Sequence, residues 1–430
     1  MFGFGRDVWT GGLVRKMKIL IAGAGIGGLT TALSLHKAGF DVHVYESATE
    51  IKALGVGINV LPHAIRVLTD LGLLDKLLKI GVQTRELCYF NKFGQLIWQE
   101  PRGKFAGYLW PQLSVHRGAF MMILLQAVKT AIGGGNVHTG HHLKRCINTG
   151  DKVTAIFTTK GAEEIIANVE GDVLIGADGI HSSVRRQFYP GEGIPKFSGI
   201  VLNRGMSMGK PFLSGSSMIM AGSVDKKFIA YPISDELDHN GNQLINWIAD
   251  LKVGPEGNIL RDWNRTADKN KLLTEFSSWQ FDWLNAPEII SGADAIYEFP
   301  MSDRDPLPRW SFDRITLLGD AAHPMYPIGS NGASQAILDA EVLTTALLQH
   351  TNPIAALQEY QNIRLPQTAA IILQNRQMGP EQVMEIVAGR APDGFTHLYD
   401  VISQDELEGI AARYKKIAGF EKDELNSKAK

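Results

Sequence analysis

The chain has 430 residues, 44% of them hydrophobic and 20% charged, with 43 Lys and Arg against 45 Asp and Glu and a net charge of −2 at pH 7. This is an ordinary globular composition, long enough for more than one domain and a large core. It carries no dense basic run for nucleic acid and no stretch of about 18 apolar residues for a membrane span, and its two cysteines, Cys88 and Cys146, are too few for a disulfide framework or a CxxC metal site.

Two lone cysteines read as buried reduced thiols, which places the chain in the cytoplasm. Residues 1–16, MFGFGRDVWTGGLVRK, show no periodicity and are expected to form a disordered extension. Order begins with the apolar run at 18–22, a buried strand. Gly23-Ala24-Gly25-Ile26-Gly27-Gly28 then fits GxGxxG, a helix continues to 37, Gly39 stops it, and a second strand at 41–45 ends on Glu46. Gly23 permits a tight turn, Gly25 lets the backbone approach a pyrophosphate, and Gly28 lets helix and strand pack closely. The helix start offers free N–H groups to phosphates. Glu46 is placed to accept the hydroxyls of an adenosine ribose and would repel a 2′-phosphate. This context predicts dinucleotide binding, and at this point FAD and NAD fit equally.

Gly55-Val56-Gly57 precedes a helix at about 62–71, and Val56 and Gly57 are candidates to lie against a flat ring. Residues 86–100 read as two strands around 91–94, an antiparallel hairpin. Arg117 opens the next helix, where a cation opposes the dipole, so an anionic partner is expected for it. His138, His141 and His142 have no acidic or cysteine neighbour and are not expected to bind metal. The strand at 173–177 ends in Asp178-Gly179, at the edge where open parallel sheets bind ligands, and Ser182 or Ser183 is placed to cap a helix carrying Arg185 and Arg186.

From 194 to 300, runs such as SMIMAGSV, KFIAYPIS and QLINWIAD predict a half-exposed, mostly antiparallel sheet enriched in Trp247, Trp263, Trp279 and Trp283. It is expected to be a substrate domain inserted into the dinucleotide domain, with Arg204 placed to meet a substrate carboxylate and Tyr231 to face the cavity. The GxSxG match centred on Ser207 is followed by Lys210-Pro211 rather than a helix, so no serine nucleophile is expected. RITLLGDAAHPMYPIGSNGASQAILD then sets Asp320 at the mouth of a strand and Gly329 and Gly332 at the opening of a helix. Beyond 366 the pattern is helical and charged, a C-terminal appendage with solvated faces.

Gly23 to Gly28, Asp178-Gly179 and Gly319-Asp320, in that order, resemble the single-component FAD-dependent aromatic hydroxylases over about residues 18–376. LGVGIN, VHRG, GADGIHS, DRDPLP and GDAAHPMYPIGSNGASQAILD are similar to its phenazine-type members. The resemblance implies an α/β fold: a Rossmann-like FAD-binding domain (17–84, 115–193 and 301–372), a mostly antiparallel β-sheet substrate domain (85–114 and 194–300) and a C-terminal helical segment (373–430). It implies FAD as cofactor, NADH or NADPH as transient cosubstrate, and O2, with hydroxylation of a carboxylated or phenazine-like aromatic through a flavin C4a hydroperoxide. The flavin carries this chemistry, so no metal and no catalytic side chain is assigned.

By the same resemblance Glu46 takes the adenosine ribose, Leu143 meets adenine through its backbone, and Arg117 contacts the cofactor. Asp178 stands between the FAD and nicotinamide surfaces, Asp320 binds the ribityl chain, and Pro327 lies near the ring. Backbone N–H groups of Gly329, Asn331 and Gly332 point at its N1–C2=O end. Where the phenazine-type pattern has Trp-Arg-Gly, this chain has Asn203-Arg204-Gly205, which predicts a cavity lacking one aromatic wall. Oxygenation of a polyketide in the Baeyer–Villiger manner, an NAD-dependent dehydrogenase and a non-catalytic flavin-binding protein stay open, as does the choice of monomer or homodimer.

Overall fold

A computed structural model describes residues 17–254 and 265–429; the 1–16 extension and Trp263 lie outside the described residues. A six-stranded sheet runs in the order Ser311–Phe312, Ile315–Leu317, Val173–Gly176, Lys18–Ala22, Asp41–Tyr45, Val137–His138. Every pair is parallel except the first. Its central strands are solidly apolar, with Ile19, Leu20, Ile21, Leu174 and Ile175 fully buried, because a parallel sheet is covered on both faces. Ala22 aligns with Tyr45 and Gly176, and Gly176 with Leu317. The residues that follow these strands, Gly23, Glu46, Asp178 and Asp320, therefore emerge at one edge.

The second large sheet has eight strands: Arg265–Thr266, Ile296–Asp303, Lys196–Gly209, Gln243–Lys252, Lys226–Leu237, Ser217–Gly222, Glu86–Phe90 and Leu96–Pro101. It is antiparallel except where Ser217–Gly222 meets Glu86–Phe90. The half-exposed sheet expected from the sequence is not what forms, since its central strands are buried on both faces. One face, with Ile219, Phe228, Ile245 and Trp247, packs with Phe276 and Trp279 and residues of the helices Lys269–Glu275 and Ala286–Ser291. The other, with Met218, Met220, Ile229, Tyr231 and Ile248, packs with Val383, Met384, Leu407 and Ile410 of the C-terminal helices. An unbroken apolar run such as SMIMAG signals burial on both sides, not alternation. Ser207 sits inside this sheet, donating to the Ile289 carbonyl at 2.6 Å and accepting from Trp247 Nε1 at 2.9 Å, a structural tie between sheet and helix.

The C-terminal helices are not a solvated appendage. The helix Pro353–Arg376 runs across the 372/373 boundary drawn from the sequence, and Gln382–Arg390 and Gln404–Ala418 close over the second sheet. Lys227, almost fully buried, pairs with Asp250 at 3.1 Å on the neighbouring strand and with Glu381 just ahead of the helix Gln382–Arg390. The Tyr108 hydroxyl donates to the Phe420 carbonyl at 2.7 Å. Charges spread along this segment suggested solvated faces, but its apolar positions recur at helical spacing and are buried. Among the described residues no helix is long and apolar enough to cross a membrane.

His63, in the helix Pro62–Asp70, is buried and stacks on Phe420 with ring centroids 5.3 Å apart. Burial, then the charges of Arg364 and Arg66, push its imidazole down to about 3. The unfolded chain takes up this proton near pH 6.5, before the folded chain does, so stability is complete above that pH and lost as pH falls toward 3. Thermal midpoints should fall through that window, and a His63→Gln variant should show a shallower fall.

Candidate cofactor and substrate site

The glycine turn divides its labour. Gly23 has φ +110°, and a Cβ there would sit 2.2 Å from the Ala177 carbonyl oxygen; a Cβ on Gly28 would sit 2.0 Å from the Gly23 oxygen. Both glycines serve the fold. Gly25 has ordinary extended backbone, and a Cβ there would meet nothing within 4 Å; the residue lines a cavity. Gly28→Ala should therefore destabilise the apoprotein. Gly25→Ala should leave its melting temperature nearly unchanged while weakening flavin uptake, which titration of apoprotein with FAD measures. A Gly25→Ala variant with normal uptake would remove this glycine from the site.

Glu46 folds back onto the turn, accepting from Ala24 N at 2.9 Å and Ala48 N at 2.8 Å. Leu143 lies in the strand His142–Asn148, paired with Phe157, its side chain buried. Asp178 accepts from Ser183 N at 2.7 Å and so caps the helix Ser183–Phe188 together with Ser182, which accepts from Arg185 N at 2.9 Å. The other Asp178 oxygen is buried without a partner, and burial raises its carboxyl pKa. Glu46, Leu143 and Asp178 do not line the cavity, nor do Gly23, Gly28, Val56 and Gly329. Val56 instead uses its carbonyl to accept from Arg117 N at 2.9 Å.

The cavity, of about 380 Å³, does bring together Gly25, Ile26, Gly57, Arg117, Arg204, Tyr231, Asp320, Pro327, Asn331 and Gly332. Arg204 and Tyr231 come from the second large sheet, Gly57 from the short strand Gly57–Val60, and the rest from turns and helix starts. Asp320 projects into it as an open carboxylate, yet sits deep in the protein. That depth raises its carboxyl pKa, against the charges of His323 and Arg117. Arg117, also open to the cavity, is the cation on that side. The helices Ile26–Lys37 and Gly332–Gln349 both begin at this cavity with no side-chain cap. Their first N–H groups are left for another acceptor.

The opposite wall belongs to the second sheet. Tyr231 and Asn246 are cross-strand neighbours, and Asn246 Oδ1 accepts from Gly57 N at 2.6 Å. A Cβ on Gly57 would sit 2.6 Å from Asn246 and 2.8 Å from the Tyr231 ring, so this glycine lets the loop lie flat on the sheet. Arg204 stands over Phe299 at 5.8 Å and lines the cavity together with Met218, Met220, Ile229 and Ile248. Its Nε has no partner, no carboxylate lies within ion-pair distance of it among the described residues, and burial lowers its pKa. Asn203 points the other way. Its amide donates to the Ala249 carbonyl at 3.0 Å, and a Cβ on Gly205 would strike Trp247 on the helix-covered face. The Asn203 departure thus removes no aromatic from the cavity, because adjacent strand residues face opposite sides.

Sequence reading missed the group that holds this edge in place. Asp339 is fully buried, accepting from Gly319 N at 3.0 Å, His323 Nε2 at 2.6 Å and Arg364 Nε at 2.7 Å. Burial pushes its carboxyl up, but His323 and Arg364 overcome this and hold it at about 2. The signal was a lone acid on the apolar face of a helix. Arg185 was read only as a helix residue; it donates to the Ala321 carbonyl at 3.2 Å and the Ala322 carbonyl at 2.9 Å, joining the Asp178 turn to the Asp320 turn.

The residues present fit a dinucleotide with a flat ring. There is open backbone at Gly25, a carboxylate at Asp320 without a partner among the described residues, two helix starts without a side-chain cap, and a second wall of apolar side chains. Fold and site together define a FAD-dependent aromatic hydroxylase. The chain belongs to the family described as FAD binding domain, matched at residues 16–215 and 294–375. It is 44% identical over 361 residues to phenazine 1,6-dicarboxylic acid hydroxylase PhzS of Lysobacter antibioticus, covering 83% of this chain and 89% of that protein. It is 30% identical to 3-hydroxybenzoate 6-hydroxylase 1 of Aquipseudomonas alcaligenes, over 82% of this chain and 86% of the other. The fold is similar to that of Klebsiella pneumoniae HpxO, solved with FAD and uric acid, at a TM-score of 0.73 and 24% identity, over 94% and 96% of the two chains. The protein is a flavin-dependent monooxygenase with FAD as its cofactor and NAD(P)H and O2 as cosubstrates.

Proposed function

We propose that this monooxygenase adds one oxygen atom to a flat aromatic small molecule that carries a carboxylate, a phenazine carboxylate fitting best. The observation that carries this is Arg204, a cation with an unpartnered Nε and no carboxylate within ion-pair distance among the described residues, Asp250 acting on it only from farther off, set in an apolar wall across the cavity from the flavin-binding turns. A buried unpaired charge is costly, and a substrate carboxylate compensates it. The name of the relative from Lysobacter antibioticus, a hydroxylase of a phenazine dicarboxylic acid, supports the same class.

Bound FAD supplies the redox and oxygen chemistry that side chains lack. The chain's part is to hold and enclose. Asp320 would take the ribityl hydroxyls, Glu46 the adenosine ribose, and the N–H groups at Gly332 and Ala333 the pyrimidine edge of the ring. Arg204 orients the substrate by its carboxylate, while Met218, Met220, Ile229 and Ile248 exclude water from the reacting face. The free, buried state of Cys88 and Cys146 accords with a cytoplasmic setting.

A screen of aromatic carboxylates, phenols and phenazines for stimulated NADH and NADPH oxidation, with product mass, tests this. A gain of one oxygen on a carboxylated ring is expected; stimulation by uncarboxylated rings alone would sink it. Arg204→Gln should raise KM for the carboxylated substrate about 10- to 100-fold, the equivalent of one lost charged hydrogen bond. It should barely change KM for the uncarboxylated ring.

A further inference from the structure

We propose that Tyr414, in the C-terminal helix Gln404–Ala418, is a positioning residue for the cofactor: it clamps the loop ahead of the helix Gly332–Gln349 and keeps that helix's first N–H groups open to the flavin. The proposal rests on the placement of the flavin's pyrimidine edge at this loop.

Tyr414 is buried, and its ring fills the space above two glycines. A Cβ on Gly329 would lie 2.1 Å from the Tyr414 oxygen, and one on Gly379 would lie 2.9 Å from the ring. Its hydroxyl lies within donating distance of Asn375 Oδ1 at 2.9 Å and of the Ile328 carbonyl at 3.2 Å, and accepts from Asn331 Nδ2 at 2.9 Å. The loop it touches is strained. Gly329 has φ +68° and Ser330, not a glycine, has φ +56°. A residue with a side chain holds that conformation only where its surroundings impose it.

Asn331 shows what the clamp achieves. Asparagine is among the best helix N-caps. Here it caps nothing: its backbone is itself helical, and its amide is committed elsewhere, Nδ2 to Tyr414 and the Gly329 carbonyl, and Oδ1 to Gln335 Nε2 at 3.2 Å. Gln335 is fixed in turn by the Ala418 carbonyl at 3.0 Å, from the same C-terminal helix. Two contacts from residues 414–418 thus hold the natural capping side chain away from the helix start. Gly332 and Ala333 line the cavity with their N–H groups uncapped by any side chain. The positive end of this helix favours negative charge on the reduced ring. The C-terminal segment therefore acts on the cofactor at one remove.

The test is Tyr414→Phe, which keeps the ring and removes the hydroxyl. In apoprotein titrated with FAD, the dissociation constant should rise roughly five- to tenfold. In the holoenzyme the two-electron midpoint potential should become more negative and the visible flavin bands should shift. Packing alone would not move the potential. Asn375→Ala removes the nearer of the hydroxyl's two acceptors, leaving the Ile328 carbonyl, and should shift affinity and potential in the same sense by a smaller amount; it carries the test if Tyr414→Phe does not fold. Unchanged affinity and potential in a folded variant overturn the proposal. Gly329→Ala, which displaces the loop from Tyr414, is the comparator. Loss of flavin there with full retention in Tyr414→Phe rejects the clamp and keeps the flavin placement; retention in both rejects the placement as well.

Discussion

Asp320→Ala is expected to leave the purified protein largely colourless. Asp320 is an open carboxylate at the C-terminal end of the strand Ile315–Leu317, with no protein hydrogen bond and no ion pair among the described residues, facing the cavity beside Gly319 and Pro327. Nothing in the fold requires the charge there, and its depth works against it. A ligand hydroxyl would supply the missing partner. Losing a charged hydrogen bond of this kind costs about 1.5–3 kcal/mol, or roughly 10- to 150-fold in affinity. The flavin-to-protein ratio after gel filtration, and the FAD dissociation constant by fluorescence, measure this. The melting temperature of the apoprotein should stay level or rise. Full yellow occupancy in the variant would contradict the role.

Asp339→Ala is expected to be the most destabilising single change. The carboxylate holds three donors at once, and its removal leaves Arg364 buried without its ion pair and Gly319 N without an acceptor. Breaking a buried pair from one side costs about 3–5 kcal/mol. The turn that presents Asp320 hangs on the Gly319 bond, so flavin binding should fall with stability. The pH dependence follows from the sign of the shift. The folded carboxyl sits at about 2 against roughly 3.9 in the unfolded chain, so its contribution is present above pH 4 and fades as pH falls to 2. Chemical denaturation at pH 7 and pH 3 should show wild type approaching the variant at the lower pH. An equal gap at both would assign the stability to something other than this ionised group.

The N-terminal strand, glycine turn and helix were legible because each position there answers to a neighbour a few residues away. Gly23 and Gly28 clash locally if they gain a Cβ, and the apolar run at 18–22 admits no reading but a buried strand. The second sheet was legible as strands but not in its burial, since the helices that cover Phe228 and Trp247 come from residues 269–291. Asn203 shows the limit most clearly. From the sequence it was a lost cavity aromatic; in the fold it faces the other side of the sheet, a fact set by register and not by residue type.

The sequence alone determined dinucleotide binding, through a glycine turn and an acid with local steric and electrostatic reasons to be where they are, and the order of its three strand-end motifs carried the resemblance that implied FAD. Only the tertiary structure decided which of those residues meet in one cavity, that Arg204 has no carboxylate within ion-pair distance among the described residues, and that Asp339, Arg364 and Tyr414 hold the turns beside that cavity. These are contacts between residues tens to hundreds of positions apart. Their energy depends on burial and orientation, quantities that belong to the folded arrangement and leave no periodic trace along the chain.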